Sequence, residues 1–412
     1  ENGLGGSEMG FRNAYSRIGV MTPDELPDDQ CVFLGVTGGY GYLNATALRM
    51  LGHRAPGMTA EDIDALFFGD APVVHVFVVK EGFDRPDLTE RIGETFGWVL
   101  TTPSLPDVLG HEREMNELRA NRPDLASMSD QELLDYTLSL ADEHFEKLFT
   151  EHIFISFLAT LPIGIITAVC TAVGKPEATL KLLAGLGDVE SAAPSMQMWS
   201  LGRLVVESNE LMAMFDAGYT GLNARLRASD SEAALGFVAA FDSFLFSYGC
   251  RGPNEWEARS PTWETEPDLA LAAIDRMRLS DASAAPQLHN DDRRAERESL
   301  GAEIAAMVEG DPETHGQFVA ALNSATVFMP GRERTKTNNI KLVHELRVAL
   351  HEIGHRRVQA GTFHKHDDFG LLTRPELKNE VANPGTYTDQ LADREALLDE
   401  VAALQEPFLF HG

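Results

Sequence analysis

Cysteine is scarce: Cys31, Cys170 and Cys250 are the three in 412 residues, and none belongs to a CxxC pair. That spacing excludes a zinc-thiolate knuckle and a disulfide framework, and fits a reducing, cytoplasmic setting. Basic residues are also few. Lys and Arg number 34 against 64 Asp and Glu, a formal net charge of -30. A surface that acidic repels phosphate backbones and anionic lipid, so neither a nucleic acid nor a membrane is expected as partner. No basic n-region followed by an apolar h-region opens the chain, so no signal peptide is expected. No repeat period is visible either.

Apolar residues make up 43% of the chain, enough for a substantial core in one large domain or a few subdomains. One uncharged run, "IFISFLATLPIGIITAVCTAVG" from Ile153 to Gly174, is long enough to span a bilayer. It stands alone and lacks basic flanks, so it is expected as a buried helix pair broken near Pro162 and Gly164.

Periodicity predicts a mainly α fold, with a large helical domain and a small α/β element near the N-terminus. The division read from sequence is an α/β subdomain over 1–110 and a helical domain over 111–412. The Gly-rich first thirty residues read as a loosely ordered lead-in. "CVFLGV", Cys31–Val36, reads as a strand closed by a Thr37-Gly38-Gly39 turn. "NATALRMLG" reads as a helix capped by Asn44, and "APVVHVFVVK", Ala71–Lys80, as a further strand. Beyond about residue 110 helical spacing dominates, with a cap expected at Ser129.

"HEIGH", His351–His355, has the HExxH spacing that puts two His one turn apart on a helix around a general-base Glu. The extended pattern HExxHxxGxxH fails, because Val358 and Gly361 stand where Gly and His belong. His364 and His366 follow without a specified role. Arg356 and Arg357 are adjacent cations that disfavour a divalent ion, so no metal is expected. Val343, Leu346, Leu350 and Ile353 form an apolar stripe, with His344, Arg347, His351 and His355 on its flank.

Three further stretches carry more chemistry together than apart. "YGCRGPNEWEARSPTWETEP", Tyr248–Pro267, packs Arg, Glu and two Trp between helices. It reads either as a functional loop or as a corner in which Arg251 binds carbonyls and Trp256 and Trp263 plug the core. "GRERTKTNNIKLVHELR", Gly331–Arg347, places Arg332 and Lys336 on one helical face. Two cations there, read as near a helix start, suit a phosphoryl partner, or pair with carboxylates instead. "DDFGLLTRPEL", Asp367–Leu377, reads as a turn followed by a helix capped by Thr373.

In this order the three stretches resemble the phosphoenolpyruvate-utilising family, which includes phosphoenolpyruvate synthase, rifampin phosphotransferase and phenylphosphate synthase. The likeness is to the middle, substrate-binding domain. It is carried by Arg251, Gly252, Pro253, Glu255 and Trp263; by Arg332, Glu333 and Lys336; and by Asp367, Asp368, Phe369, Leu372, Thr373, Glu376 and Leu377. "YLNATALRMLGHRAPGMTAEDID" and "LLAGLGDVESAAPSMQMWSLGRL" extend it.

No ATP-grasp signature and no "TxGGxxSHAA"-like phosphohistidine motif is visible, since "TGGYGYLNA" shares only Thr-Gly-Gly. The resemblance implies a dikinase-type transferase using ATP and Mg2+, with ATP-grasp and phosphohistidine domains supplied in cis or as separate subunits. No cofactor is expected on this chain, which alone should not turn over. The acceptor implied is a hydrophobic, hydroxyl-bearing small molecule. Substrate-binding roles fall to Arg332, Lys336, Arg251, Glu255, Met196 and Trp199, and a proton-accepting, catalytic role to His351. A non-catalytic binding module and a zinc hydrolase remain alternatives.

Overall fold

A computed structural model describes residues 2–69, 77–184, 186 and 188–409. The chain is mainly α, with a single two-stranded sheet among the described residues. Two compact units emerge. The first comprises Glu1–Thr102, Arg122–Leu158 and Ala349–Gly412; the second comprises Pro103–Asn121 and Ala159–Val348. Both units are discontinuous in sequence, a partition of a different kind from the 1–110 and 111–412 division.

In the first unit, the expected loose lead-in is a helix, Asn2–Ile18, packed along the helix Asp130–Leu158. Its glycines are the reason. A Cβ at Gly6 would stand 2.8 Å from the Phe145 ring, and one at Gly10 would stand 2.5 Å from Phe149. Glycine here supplies a flat helix face rather than a flexible backbone. The Asn2–Ile18 helix also brings Phe11 and Tyr15 against Phe33 and Phe157, at ring-centroid separations of 4.6–6.3 Å. Such edge-on and stacked aromatic pairs stabilise beyond their buried area.

The same helix orders the following segment through Glu8, which is buried. Its carboxylate accepts the backbone N–H groups of Val32 (2.7 Å), Phe33 (3.0 Å) and Leu34 (3.0 Å), and the Arg12 Nε–H at 2.9 Å. These bonds occupy the N–H groups that a strand over Cys31–Val36 would pair. The strand therefore starts later, at Leu34–Thr37, and turns at Gly38-Gly39 to pair antiparallel with Tyr40–Leu43. Both glycines have positive φ, as such a turn requires. Asn44 then caps the helix Ala45–Arg54, accepting from Thr46 N–H at 3.0 Å. Of the strand expected over Ala71–Lys80, residues 71–76 lie outside the described residues, and 77–80 are not strand.

Ser129 exchanges two bonds with Glu132 at the start of Asp130–Leu158, as its spacing predicts. The apolar run does break, at Ala159 between Leu158 and Thr160, just ahead of Pro162. Proline lacks the N–H that would bond the carbonyl of Leu158, which favours an interruption there. Across this break the span Asp130–Ala172 is long and apolar enough to cross a membrane, with 56% of its most apolar window buried. Thr373 and Glu376 form a reciprocal cap on the helix Arg374–Ala382. Arg394 on the helix Thr388–Ala402 binds the same Glu376 carboxylate at 2.7 Å. That ion pair and the Thr373 N–H lower the Glu376 pKa to about 2.

The second unit has helices and no strand among its described residues. Asp188–Val206, Asn209–Asp216, Leu222–Arg227, Glu232–Tyr248 and Pro267–Arg278 enclose one core. Phe215, Phe237, Phe241 and Phe244 form its centre, and Trp263 stacks on Phe244 at 5.5 Å. The long helix Pro312–Gln359 includes Pro330 and Gly331 in its interior. Arg332 and Lys336 are therefore mid-helix, not near a helix start, and no unpaired N-terminal N–H groups adjoin them. Residues of this helix up to Val348 belong to the second unit, and those from Ala349 to the first.

Candidate functional site

The loop that leaves the helix Glu232–Tyr248 folds against the face Thr335–Arg347 of the long helix. Two backbone bonds close it on itself, Trp263 N–H to Arg251 O (2.8 Å) and Glu264 N–H to Gly249 O (3.0 Å). Gly252 permits the closure, since a Cβ there would meet the Pro261 carbonyl at 2.5 Å. Trp263 serves as the core plug its sequence suggested. Trp256 does not; it is exposed.

Three of the expected site residues come together. Arg251 donates to both oxygens of Glu255, at 2.9 and 3.1 Å, and Lys336 Nζ lies 3.7 Å from the same carboxylate. Arg251 thus binds a carboxylate rather than loop carbonyls. Arg332 is one turn before Lys336, exposed, with no hydrogen bond or ion pair to its guanidinium among the described residues. In a chain of net charge -30, Arg332 is thus, among the described residues, an unpaired cation one helical turn from a half-exposed lysine.

Beneath this surface lies a buried polar network whose extent the sequence did not reveal. His344 and Arg347, on the flank of the apolar stripe, are fully buried. His344 Nε2 is 2.6 Å from Glu264 Oε2, and its Nδ1 faces Thr262 Oγ1 at 3.5 Å. Arg119, from the helix Pro106–Ala120, binds Glu264 at 2.6 Å and stands 3.6 Å from Glu345. Arg347 donates to the carbonyls of Glu255 and Glu257, each at 2.9 Å. Burial lowers the Arg347 pKa and raises that of the Cys250 thiol. Arg347 therefore fixes the main chain at the residue whose side chain holds Arg251 and Lys336. The basic spacing of His344 and Arg347 was visible in sequence, but their acidic partners were too distant to assign.

Met196 and Trp199 lie on Asp188–Val206. Trp199 carries the Arg203 guanidinium 4.4 Å above its ring, and neighbouring Met198 is in the core. Neither Met196 nor Trp199 has a hydrogen bond or ring contact with Arg251, Glu255, Arg332 or Lys336. His351 belongs to the first unit. It is 5% exposed, with its ring 4.8 Å from that of His366 and 5.3 Å from Phe369.

A family model, the rifampicin phosphotransferase fourth domain, matches residues 151–333. The matched segment is similar to that domain. It covers less than half of the 412 residues, includes Met196, Trp199, Arg251, Glu255 and Arg332, and ends shortly before Lys336. No curated protein matches the chain.

Proposed function

We propose that this chain holds the acceptor in a dikinase-type phosphotransferase, receiving a phosphoryl group at the surface formed by Arg332, Lys336 and the Arg251–Glu255 pair. The carrying observation is the match over residues 151–333, which contains the Arg251 loop and the exposed, unpaired Arg332. Phosphoryl transfer requires little covalent chemistry from the protein. It needs positioning, and cations aimed at the transferring group. Arg332 is available for that role. Lys336, held loosely at 3.7 Å by Glu255, can exchange a carboxylate oxygen for a phosphoryl oxygen by side-chain rotation alone. Arg251 stays on Glu255 and keeps that carboxylate from turning toward the incoming anion.

The phosphoryl group is supplied by a phosphohistidine domain charged from ATP and Mg2+, in cis or as a separate subunit. The acceptor in this reading is a hydrophobic molecule with a hydroxyl group. His351 is given no step in the transfer, because its ring is enclosed by His366 and Phe369. A setting in the cytoplasm, without nucleic acid or membrane, accords with the acidic surface and the three free cysteines.

A thermal-shift panel of rifampicin, phenol and aliphatic alcohols tests the acceptor. At a ligand concentration one hundred times its Kd, binding to the folded state alone stabilises by about 2.7 kcal/mol. At least one member is expected to raise the unfolding midpoint in a saturable way. A panel without any saturable shift contradicts the hydrophobic acceptor.

A further inference from the structure

Arg347 is buried with part of its hydrogen-bonding capacity unused. Its Nη2 donates to the carbonyls of Glu255 and Glu257, each at 2.9 Å, and its Nη1 stands 3.4 Å from His344 Nδ1. Its Nε–H, also buried, has no hydrogen-bond partner among the described residues. A buried guanidinium with an idle donor is destabilising, and an apolar side chain of similar volume is often as stable or more so. Such a departure from polar satisfaction calls for a reason other than stability.

The two carbonyls belong to one turn, closed by the Glu257 N–H on the Asn254 carbonyl at 3.2 Å. From that turn the Glu255 carboxylate reaches Arg251 and Lys336. Lys336 and Arg347 lie about three turns apart on one face of the helix Pro312–Gln359. The helix thus sets the distance between the point where the turn is held and the point where its carboxylate sits. Arg251 restrains the carboxylate itself and is steadied in turn by Thr337 Oγ1, 3.5 Å from its Nη2. Arg332 is one turn before Lys336, exposed and, among the described residues, without a carboxylate. A Glu255 side chain free to shift one turn along this face would pair with Arg332 and close the surface to any other anion.

We propose that Arg347 is a positioning residue: by holding the main chain at Glu255 and Glu257, it keeps the Glu255 carboxylate off Arg332 and leaves that cation open to a phosphoryl oxygen. This rests on the phosphoryl-receiving surface proposed above. The competitor is the protein's own carboxylate. Removing it therefore makes Arg347 dispensable for anion binding, though not for stability.

The test titrates the full chain with inorganic phosphate at fixed ionic strength, followed by phosphorus NMR, with the fold of each variant checked by circular dichroism. The wild type is expected to bind phosphate saturably, with a Kd of about millimolar. Arg332→Ala/Lys336→Ala should abolish binding. Arg347→Met should weaken it about fivefold, the strength of an exposed ion pair. Arg347→Lys keeps a donor near the carbonyls and should weaken it less. Glu255→Gln removes the competing charge and should tighten binding. Adding Arg347→Met to Glu255→Gln should leave phosphate affinity at the Glu255→Gln value while still lowering the urea midpoint. A merely structural Arg347 would weaken binding equally in both backgrounds. Equal binding by wild type and Arg332→Ala/Lys336→Ala, or no saturable binding at all, overturns the surface and the positioning role with it. Binding that needs Arg332 and Lys336 but is unchanged by Arg347→Met, or is weakened as much in the Glu255→Gln background, overturns the positioning role alone.

Discussion

Replacing Arg332 and Lys336 together by Ala is expected to abolish most phosphoryl transfer to the acceptor while leaving the fold intact. Removing one preorganised electrostatic contact to a transition state typically costs about 10²–10³ in rate. Each single variant should lose on the order of tenfold or more, and the pair more than either. The fold should survive because neither cation supports the core. Among the described residues Arg332 is exposed and unpaired, and Lys336 has only its loose contact to Glu255. Two readouts separate transfer from charging of the phosphohistidine. ATP-driven loading of the partner domain should continue, while acceptor phosphate falls. Unchanged acceptor phosphorylation in the double variant would remove both residues from the site.

Glu8→Ala is expected to produce the largest loss of stability, about 3–5 kcal/mol by urea unfolding. The substitution strips the acceptor from three successive N–H groups, those of Val32, Phe33 and Leu34, and from Arg12. Arg12 keeps carbonyl partners at Leu26 (3.0 Å) and Pro27 (2.8 Å), but its buried charge loses its counter-ion. Glu8→Gln retains one carbonyl oxygen and should fall between wild type and Glu8→Ala, which keeps the test informative if the Ala variant does not fold. A change below about 1 kcal/mol in Glu8→Ala would show that this carboxylate does not organise the hairpin.

The mainly α character was legible because helical spacing and capping residues acted locally. Asn44, Ser129 and Thr373 each cap the helix their spacing indicated. The misread elements were those decided by a distant partner. Glycines in the first helix signalled a loop, yet Gly6 and Gly10 face Phe145 and Phe149, more than a hundred residues away. Arg332 and Lys336 read as near a helix start, but the helix Pro312–Gln359 runs on through Pro330 and Gly331 ahead of them. Tertiary packing overrides such weak local preferences.

The candidate site followed the same rule. The Arg251 loop fixes no partner by spacing, and its corner reading gave Arg251 to carbonyls, but Arg332 with Lys336 shares a helical face, so that pair was readable as a unit. That Lys336 and Arg251 converge on one carboxylate was not, because a contact between a loop and a helix 80 residues later leaves no local trace. The burial of His344 and Arg347 was hidden for a related reason. Polar residues on the flank of an apolar stripe look solvated until partners such as Glu264 and the Glu255 carbonyl are in place.

The most direct measurement follows the phosphoryl group itself. A phosphohistidine domain, loaded from ATP, is mixed with the chain and the acceptor panel, and each acceptor is analysed by mass spectrometry. Acceptor binding by this chain predicts that one or more acceptors gain a phosphate only when the chain is present, and that the Arg332→Ala/Lys336→Ala variant fails to support this gain. Discharge of the phosphohistidine to water at the same rate with and without the chain, with no acceptor modified, would contradict it.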